Sequence, residues 1–259
     1  MDINDQKAND YVAPSEIRVP FRNMVYVGDS ATDVPCMKLV NSYGGHSIGV
    51  YNLDTYNSNA IEGNTLTLRE TDLVLRGLTI DQKPLKDHME AVGHKEAFDF
   101  VSELVKDNVP ISESIIKQIH YLVLADKKED RGVYRRIPVH IIGAQHELVQ
   151  PYLIEPKMEQ LLYDFAASTE HIVTKLARFH IEFEGIHPFI DGNGRTGRLL
   201  VNLELMKAGF PPIDIKFTDR IAYYRAFDEY HVKHNLSAME NLFAGYINAR
   251  LDMYLDMLH

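Results

Sequence analysis

The chain is organised around one stretch of twelve residues. It reads His187-Pro188-Phe189-Ile190-Asp191-Gly192-Asn193-Gly194-Arg195-Thr196-Gly197-Arg198. Apolar residues recur at helical spacing on both sides of it, at Ile172, Leu176, Phe179 and Phe183 before the stretch and at Leu199, Leu203 and Met206 after it. This spacing predicts a buried helix that runs into the stretch and a second helix that leaves it and ends near Ala208-Gly209.

The glycines and arginines of the stretch predict an anion-binding site at the start of the second helix. Gly192, Asn193 and Gly194 can bring backbone N–H groups close to a ligand. The N-terminus of a helix adds unpaired N–H groups and a partial positive charge, a combination that favours phosphate. Arg195 and Arg198 are three residues apart and share one face of the helix. Their guanidinium groups suit phosphate oxygens.

The other polar residues of the stretch predict chemistry on a nucleotide phosphate. Asp191 offers one hard oxygen, which fits Mg²⁺ that protein and polyphosphate hold together. His187 lies four residues earlier and is the natural general base, since the pKa of a free imidazole is near neutral. We expect Phe189 to point into the core and anchor the loop. The alternative is a glycine-rich helix start whose arginines are simply solvated.

The ordered string H-P-F-x-D-G-N-G-R-x-x-R resembles the signature of the Fic family, and it matches that signature at every position. Most members of that family transfer AMP from ATP to a hydroxyl group of a protein. In the related Doc-type kinases the glycine after the acidic residue is altered, so Gly192 favours AMP transfer here. The resemblance covers about residues 52–259. It implies a mainly α fold, a helical bundle with a β-hairpin flap.

The resemblance also implies a role for each matched residue. His187 would remove the proton of the target hydroxyl, and Asp191 would hold Mg²⁺. The segment 192–195 would cradle the α- and β-phosphates of ATP. Arg198 would bind the γ-phosphate.

A second motif lies around Glu62. The residues alone indicate a short helix or turn at 56–64 that Gly63 closes, with Glu62 as an ordinary surface carboxylate. However, Ser58-x-x-x-Glu62-Gly63 resembles the inhibitory motif of many Fic proteins. It implies that Glu62 pairs with Arg198, competes with the γ-phosphate and repels the triphosphate. Because the motif and the signature share one chain, inhibition would be intramolecular.

Residues 132–151 look extended and predict a β-hairpin, because β-branched residues are dense and Pro138 suits an edge strand. In Fic proteins a hairpin at this place aligns the target segment by strand addition. The resemblance therefore implies a docking edge at Val139, His140, Ile141, Ile142 and Gly143. The alternative is an ordinary surface hairpin.

Residues 1–51 predict a separate N-terminal appendage with a short βαβ pattern. Strands are expected at 24–27 and 47–50, with a helix between them. Residues 18–51 resemble the last acidic motif of haloacid-dehalogenase-like phosphatases, with Asp29 and Asp33 as candidate metal ligands. The nucleophile segment that those enzymes need upstream is missing from residues 1–23, so we interpret the appendage as an inactive fragment.

Helices are also expected across the rest of the chain: at 67–77 with a capping box at Thr67, at 86–106, from Ser112, at 155–167, from Asp219 or Thr218, and at 237–257. Tyr223, Tyr224 and Asn235 lie where Fic enzymes often contact the base. Tyr224 is thus the candidate adenine contact, although an aromatic stripe is more often part of the core.

Composition narrows the function classes. The 259 residues carry a net charge of −10 without a dense basic block, so nucleic-acid binding is not expected. One cysteine, no leader pattern and no long apolar span predict a cytoplasmic protein without membrane contact. The sequence therefore predicts a protein adenylyltransferase that uses ATP and Mg²⁺. It leaves the oligomeric state open, including a homo-oligomer. The alternatives are removal of AMP from a target by the same site, nucleotide sensing without turnover, or phosphatase activity through Asp29 and Asp33.

Overall fold

A computed structural model describes residues 25–28, 46–49, 51–140 and 147–256. The chain divides into two compact units, Met1–Tyr51 and Asn52–His259. The assignment of the first unit to an inactive phosphatase fragment stays a prediction.

The first unit contains two short strands. β1 spans Val25–Gly28 and β2 spans His46–Gly49, and they pair in parallel with Val25 opposite His46. Both strands lie within one residue of the predicted positions. A parallel pair needs a crossover connection, but the helix expected there, together with Asp29 and Asp33, lies outside the described residues.

The described part of the second unit is helical. Its helices are α1 (Tyr51–Ile61), α2 (Leu68–Leu75), α3 (Leu85–Lys106), α4 (Glu113–Val123), α5 (Ile154–Ala167), α6 (Ile172–Ile186), α7 (Asn193–Lys207), α8 (Arg220–Lys233) and α9 (Ser237–Asp256). The fold is therefore mainly α, as predicted. α1 is longer than expected and starts the whole helical unit rather than forming an isolated turn.

Local signals placed several helix ends correctly. The Thr67 side chain accepts a hydrogen bond from the Glu70 N–H, and the Glu70 carboxylate accepts one from the Thr67 N–H, which completes a capping box at α2. Ser112 caps α4 through the Ile115 N–H. α7 ends one residue before Ala208, as the following glycine and prolines indicate.

The centre of the unit is α7, which packs against α3, α4 and α6. Because neighbours surround it, nearly every residue from Asn193 to Leu205 is buried, including two arginines. A helix buried on all sides is normally apolar. The charged side chains near its N-terminus therefore need polar partners, and these charges and their partners form the candidate site.

The predicted hairpin at 132–151 is not seen in its described parts. Residues 132–140 and 147–150 contain no strand, and Ile141, Ile142 and Gly143 lie outside the described residues. The physical reason is that the backbone near Tyr134 serves the signature loop instead of a ladder, since the Arg135 N–H donates to the Pro188 carbonyl at 2.9 Å. The flap at Val139 and His140 stays a prediction.

Among the described helices, none combines the length and the apolar character needed to cross a membrane.

Candidate functional site

The signature loop joins α6 to α7 through two residues with left-handed backbone conformation. His187 ends α6 with φ of 50° and ψ of 61°, and its N–H donates to the Phe183 carbonyl at 3.0 Å. Gly192 precedes α7 with φ of 77°. That conformation suits glycine, and it leads the chain into α7, whose first N–H groups have no acceptor within the helix.

Phe189 anchors the loop in the core, as predicted. Its ring is fully buried, stacks on the His120 ring with centroids 3.6 Å apart and meets the Tyr134 ring at 5.3 Å. His120 also bonds the loop directly. Its Nδ1 accepts from the Gly132 N–H at 2.9 Å, so Nε2 carries the proton and donates to the Asp191 carbonyl at 2.9 Å.

This anchor gives the first testable prediction. Phe189→Ala should lower the free energy of unfolding by about 3–5 kcal/mol, because it leaves a cavity under the loop. Urea unfolding measures the change. Tyr152→Ala is the control, since Tyr152 is 78% exposed and should change stability by less than about 0.5 kcal/mol. A loss at Phe189 no larger than that of the control would contradict the anchoring.

Arg135 fixes the loop from the other side. Its Nε donates to the His187 carbonyl at 2.7 Å, and its terminal nitrogens donate to the carbonyls of Ile186, Ile137 and Val149. One buried guanidinium therefore ties both ends of the 137–149 segment to the candidate base.

Asn193 closes the loop on itself. Its Oδ1 accepts from the Phe189 N–H, and its Nδ2 donates to the Phe189 carbonyl, both at 2.9 Å. Both polar atoms of the side chain are therefore already hydrogen-bonded, and Asn193 can bind a phosphate only through its backbone N–H. The Gly192 N–H donates to the Asp191 Oδ1 at 2.7 Å.

Asp191, the predicted Mg²⁺ ligand, has both oxygens engaged. The ammonium of Lys127 lies 2.6 Å from Oδ2, while Oδ1 accepts from Gly192 and lies 3.6 Å from the Arg195 guanidinium. Burial raises the pKa of Asp191, but Lys127 and Arg195 outweigh it, so the pKa lies below its ordinary value. The group is ionised at neutral pH.

The donor set therefore fits Mg²⁺ only together with a nucleotide. The described residues contain no cluster of three or more acidic, histidine or cysteine side chains that could hold a metal alone. Mg²⁺ commonly uses one or two carboxylates plus substrate phosphates. Oδ2 of Asp191 can serve in this way once Lys127, which is 40% exposed, swings aside.

Arg195, predicted as part of the phosphate cradle, is buried and bonded to other protein side chains. Its guanidinium is 1% exposed and lies 3.1 Å from the Glu90 carboxylate and 3.3 Å from the Asn59 side-chain oxygen. Glu90 also accepts from Asn64 Nδ2 at 3.0 Å. The structure therefore makes Arg195 a buried bridge between the signature and the segment after Glu62.

Arg198 and Glu62 meet directly. The guanidinium donates to the Glu62 Oε1 at 2.8 Å, to the Ser58 hydroxyl at 3.0 Å and to the Ser58 carbonyl at 2.8 Å. A fourth contact runs to the Tyr223 hydroxyl at 3.4 Å. The whole fork of Arg198 is thus occupied by α1 and Tyr223, and three of its contacts come from the motif around Glu62.

Glu62 reaches this position because α1 ends at the site. Gly63 follows with φ of 92°, and the Asn64 N–H returns to the Asn59 carbonyl at 3.1 Å. That closure, typical of a helix C-terminus with glycine, directs the Glu62 side chain at α7. Its Oε1 lies where a side chain at Gly194 would clash. The carboxylate therefore stands over the start of α7, where N–H groups are free to bind an anion.

His187 is a neutral imidazole at physiological pH. Burial and, second to it, the Arg135 charge lower its pKa to about 4. Its side chain is 18% exposed, and its Nδ1 lies 3.8 Å from the Glu184 carboxylate. A neutral, partly accessible imidazole beside an anion-binding helix start can accept a proton from a hydroxyl.

The aromatic residues of α8 divide into two groups. Tyr223 is buried, and its hydroxyl donates to the neutral His180 Nε2 at 2.6 Å. Tyr224 is 46% exposed and donates to the Ile61 carbonyl at 3.1 Å. Tyr224 thus lies at the end of α1, and its contact with adenine stays a prediction, as does that of Asn235.

Sequence reasoning missed several residues that support the site from other parts of the chain: Glu90, His120, Lys127, Arg135, His180 and Glu184. Only Glu184 carried a local signal, because it precedes His187 by one helical turn. The others are brought in by tertiary packing.

Comparison with known proteins assigns this geometry to a family. The sequence model described as the Fic/DOC family matches residues 110–205. The chain contains a Fic/DOC domain.

Two curated relatives are named protein adenylyltransferase Fic. The one from Nematostella vectensis is 37% identical over 181 residues, which cover 67% of this chain and 42% of the relative. The one from Drosophila melanogaster is 33% identical over 205 residues, which cover 77% and 41%. The chain spans about two fifths of the length of these relatives.

Solved structures share the Fic fold. A Fic domain containing signaling protein from Bacteroides thetaiotaomicron is 26% identical with a TM-score of 0.74, covering 80% of this chain and 86% of that one. Fic-1 from C. elegans is 28% identical with a TM-score of 0.72, covering 88% and 67%.

Proposed function

We propose that this Fic protein is an adenylyltransferase that moves AMP from ATP to a Ser, Thr or Tyr hydroxyl of a target protein. We also propose that Glu62 inhibits it. The observation that carries the proposal is the Glu62 carboxylate held on Arg198 over the start of α7, beside a neutral His187. The relatives named protein adenylyltransferase Fic support the same reaction.

In this proposal the anion-binding start of α7 receives the phosphates of ATP. The N–H groups of residues 193–195 have no partner within the helix and point at the site. Arg198 binds the γ-phosphate after Glu62 leaves, since both ligands need the same guanidinium nitrogen. Arg195 acts from beneath by holding Asp191, not as a direct phosphate ligand.

His187 then acts as the general base. Its Nε2 removes the proton of the target hydroxyl, and the oxygen forms a bond to the α-phosphorus of ATP. The bond from that phosphorus to the bridging oxygen breaks in line, and pyrophosphate leaves. Mg²⁺ on Asp191 would supply charge neutralisation to the phosphates when bound.

We assign the reaction to residues 52–259, with 56–64 as the inhibitory segment and 139–143 as the target-docking flap. Residues 1–51 are assigned no catalytic part. The low cysteine content supports a cytoplasmic location.

A labelling experiment tests the reaction. The Glu62→Gly variant is incubated with ATP labelled at either the α- or the γ-phosphate, with Mg²⁺ or with a chelator. Label should enter protein from the α position only, depend on Mg²⁺, and appear in mass spectra as AMP on a hydroxyl side chain. Transfer from the γ position would indicate a kinase. Binding of ATP without transfer of either label would indicate a nucleotide sensor.

Removal of AMP is the second candidate, and the position of Glu62 favours it. The carboxylate is 31% exposed within the site, where it can orient a water molecule while His187 lies nearby. Wild-type protein incubated with a target that already carries AMP would release AMP. The Glu62→Gln variant should lose that release.

A further inference from the structure

One buried carboxyl of the site has no part in the proposed function. Glu184 lies one helical turn before His187 on α6, and its side chain is 13% exposed. Its Oε2 lies 3.8 Å from the His187 Nδ1. Within the described residues, neither Glu184 Oε1 nor His187 Nδ1 has a hydrogen-bond partner.

The glycines of α7 show where this carboxyl points. Gly194 and Gly197 are three residues apart and share one face of α7. A side chain at Gly194 would clash with the Glu62 carboxylate, and a Cβ at Gly197 would lie 3.0 Å from the Glu184 Oε1. The two carboxyls therefore lie against the same face of α7, the one formed by these glycines. Glu62 lies there beside Arg198, and Glu184 lies there beside His187.

We infer that Glu184 is a positioning residue for His187: its carboxylate accepts a hydrogen bond from Nδ1–H and so keeps Nε2 free to take the proton of the target hydroxyl. A movement of about 1 Å closes the gap to hydrogen-bond distance. The inference rests on the proposed function. A carboxylate there also stabilises the imidazolium that forms during proton removal.

The charges around Glu184 couple its state to Glu62. Burial and, second to it, the Glu62 carboxylate raise the pKa of Glu184 against the lowering effect of the Arg198 charge, and the result is a pKa of about 8. With Glu62 in place, Glu184 is mostly protonated at neutral pH. The polar groups that face it are His180 and His187 from α6, Arg198 from α7, Glu62 at the end of α1, and Tyr223 and Tyr224 from α8.

Removal of Glu62 therefore changes two things at once. It frees Arg198 for the nucleotide, and it takes away one of the causes that hold Glu184 protonated. Both changes act in the direction that favours Glu184 as the acceptor of the Nδ1 proton. The Glu184 backbone also interacts with the His187 imidazole and raises its pKa, and a side-chain substitution leaves that interaction in place.

The experiment reads His187 directly. The ring nitrogens of ¹⁵N-labelled histidine are followed by NMR against pH in the wild-type protein without nucleotide, with His187→Ala to identify the signal. The chemical shifts of the His187 ring nitrogens, plotted against pH, should show an inflection near the pH at which Glu184 titrates, about 8. Glu184→Gln keeps the size of the side chain and should remove that inflection. Glu182→Gln is the matched control on the same helix, because Glu182 accepts from the Tyr230 hydroxyl at 2.8 Å instead, and it should keep the inflection.

Kinetics give the second readout. In the Glu62→Gly background, Glu184→Gln should lower kcat for AMP transfer roughly tenfold or more with little change in KM for ATP. An unchanged inflection or an unchanged kcat in Glu184→Gln overturns the inference. Because the NMR titration needs no substrate, it still decides about Glu184 if the Glu62→Gly variant transfers no AMP and the proposed function fails.

Discussion

Replacing Glu62 by glycine should raise the incorporation of AMP from α-labelled ATP by roughly tenfold to a hundredfold over the wild-type protein. The reason is that the carboxylate occupies the Arg198 nitrogen at 2.8 Å that the γ-phosphate needs. A hydrogen bond between charged groups contributes about 1.5–3 kcal/mol, and the removal of a negative charge from the phosphate site adds to this. Initial rates of self-labelling, measured at equal protein and MgATP concentrations, give the ratio.

Two further variants separate charge from shape. Glu62→Gln keeps the side-chain length and loses the charge, so its labelling should fall between those of wild type and glycine. Ser58→Ala removes one of four contacts of Arg198 and leaves Glu62 in place, so its effect should be small. Equal labelling in wild type and Glu62→Gly would mean that the ion pair does not limit nucleotide access.

The features that the sequence predicted well are local ones. The helix ends at Thr67 and Ser112 follow from side chains that bond their own backbone three residues away, so no tertiary information is needed. The loop at 187–198 is likewise set by its own glycines and by Phe189. Such features depend on neighbours in the chain, and a pattern of residue types is enough to find them.

The supporting residues of the site could not be predicted in this way. Lys127 meets Asp191 across 64 positions, and Glu90 meets Arg195 only because α3 packs on α7. No periodicity connects such pairs. The sequence therefore predicted Arg195 as a phosphate ligand, whereas the structure shows it bonded to Glu90 and buried.

The hairpin predicted at 132–151 is not confirmed by the residues that the structure describes. Residues around Tyr134 have the β-branched composition of a strand, but the Arg135 backbone and side chain are used to hold the loop carbonyls of Pro188 and His187. Strand composition describes a half-buried extended segment and cannot tell what the segment pairs with. The likeness between Glu62 and known inhibitory motifs predicted a contact with Arg198, and the structure places the Glu62 Oε1 2.8 Å from that guanidinium.

Removing the imidazole of His187 should reduce AMP transfer in the Glu62→Gly background by about a hundredfold to ten-thousandfold, the usual contribution of a general base. The pKa of His187 is lowered to about 4, so the neutral base form is present throughout the neutral range and is lost only as the pH falls through that value. In the Glu62→Gly variant the rate of AMP transfer should therefore decline only well below pH 6, and the added His187→Ala substitution should remove that decline.

Binding of ATP, measured by calorimetry, should be nearly unchanged in His187→Ala, because the phosphates are held by the start of α7 and by Arg198. A drop in binding that matches the drop in rate would make His187 a structural part of the loop, and retained transfer would mean that another group takes the proton of the hydroxyl.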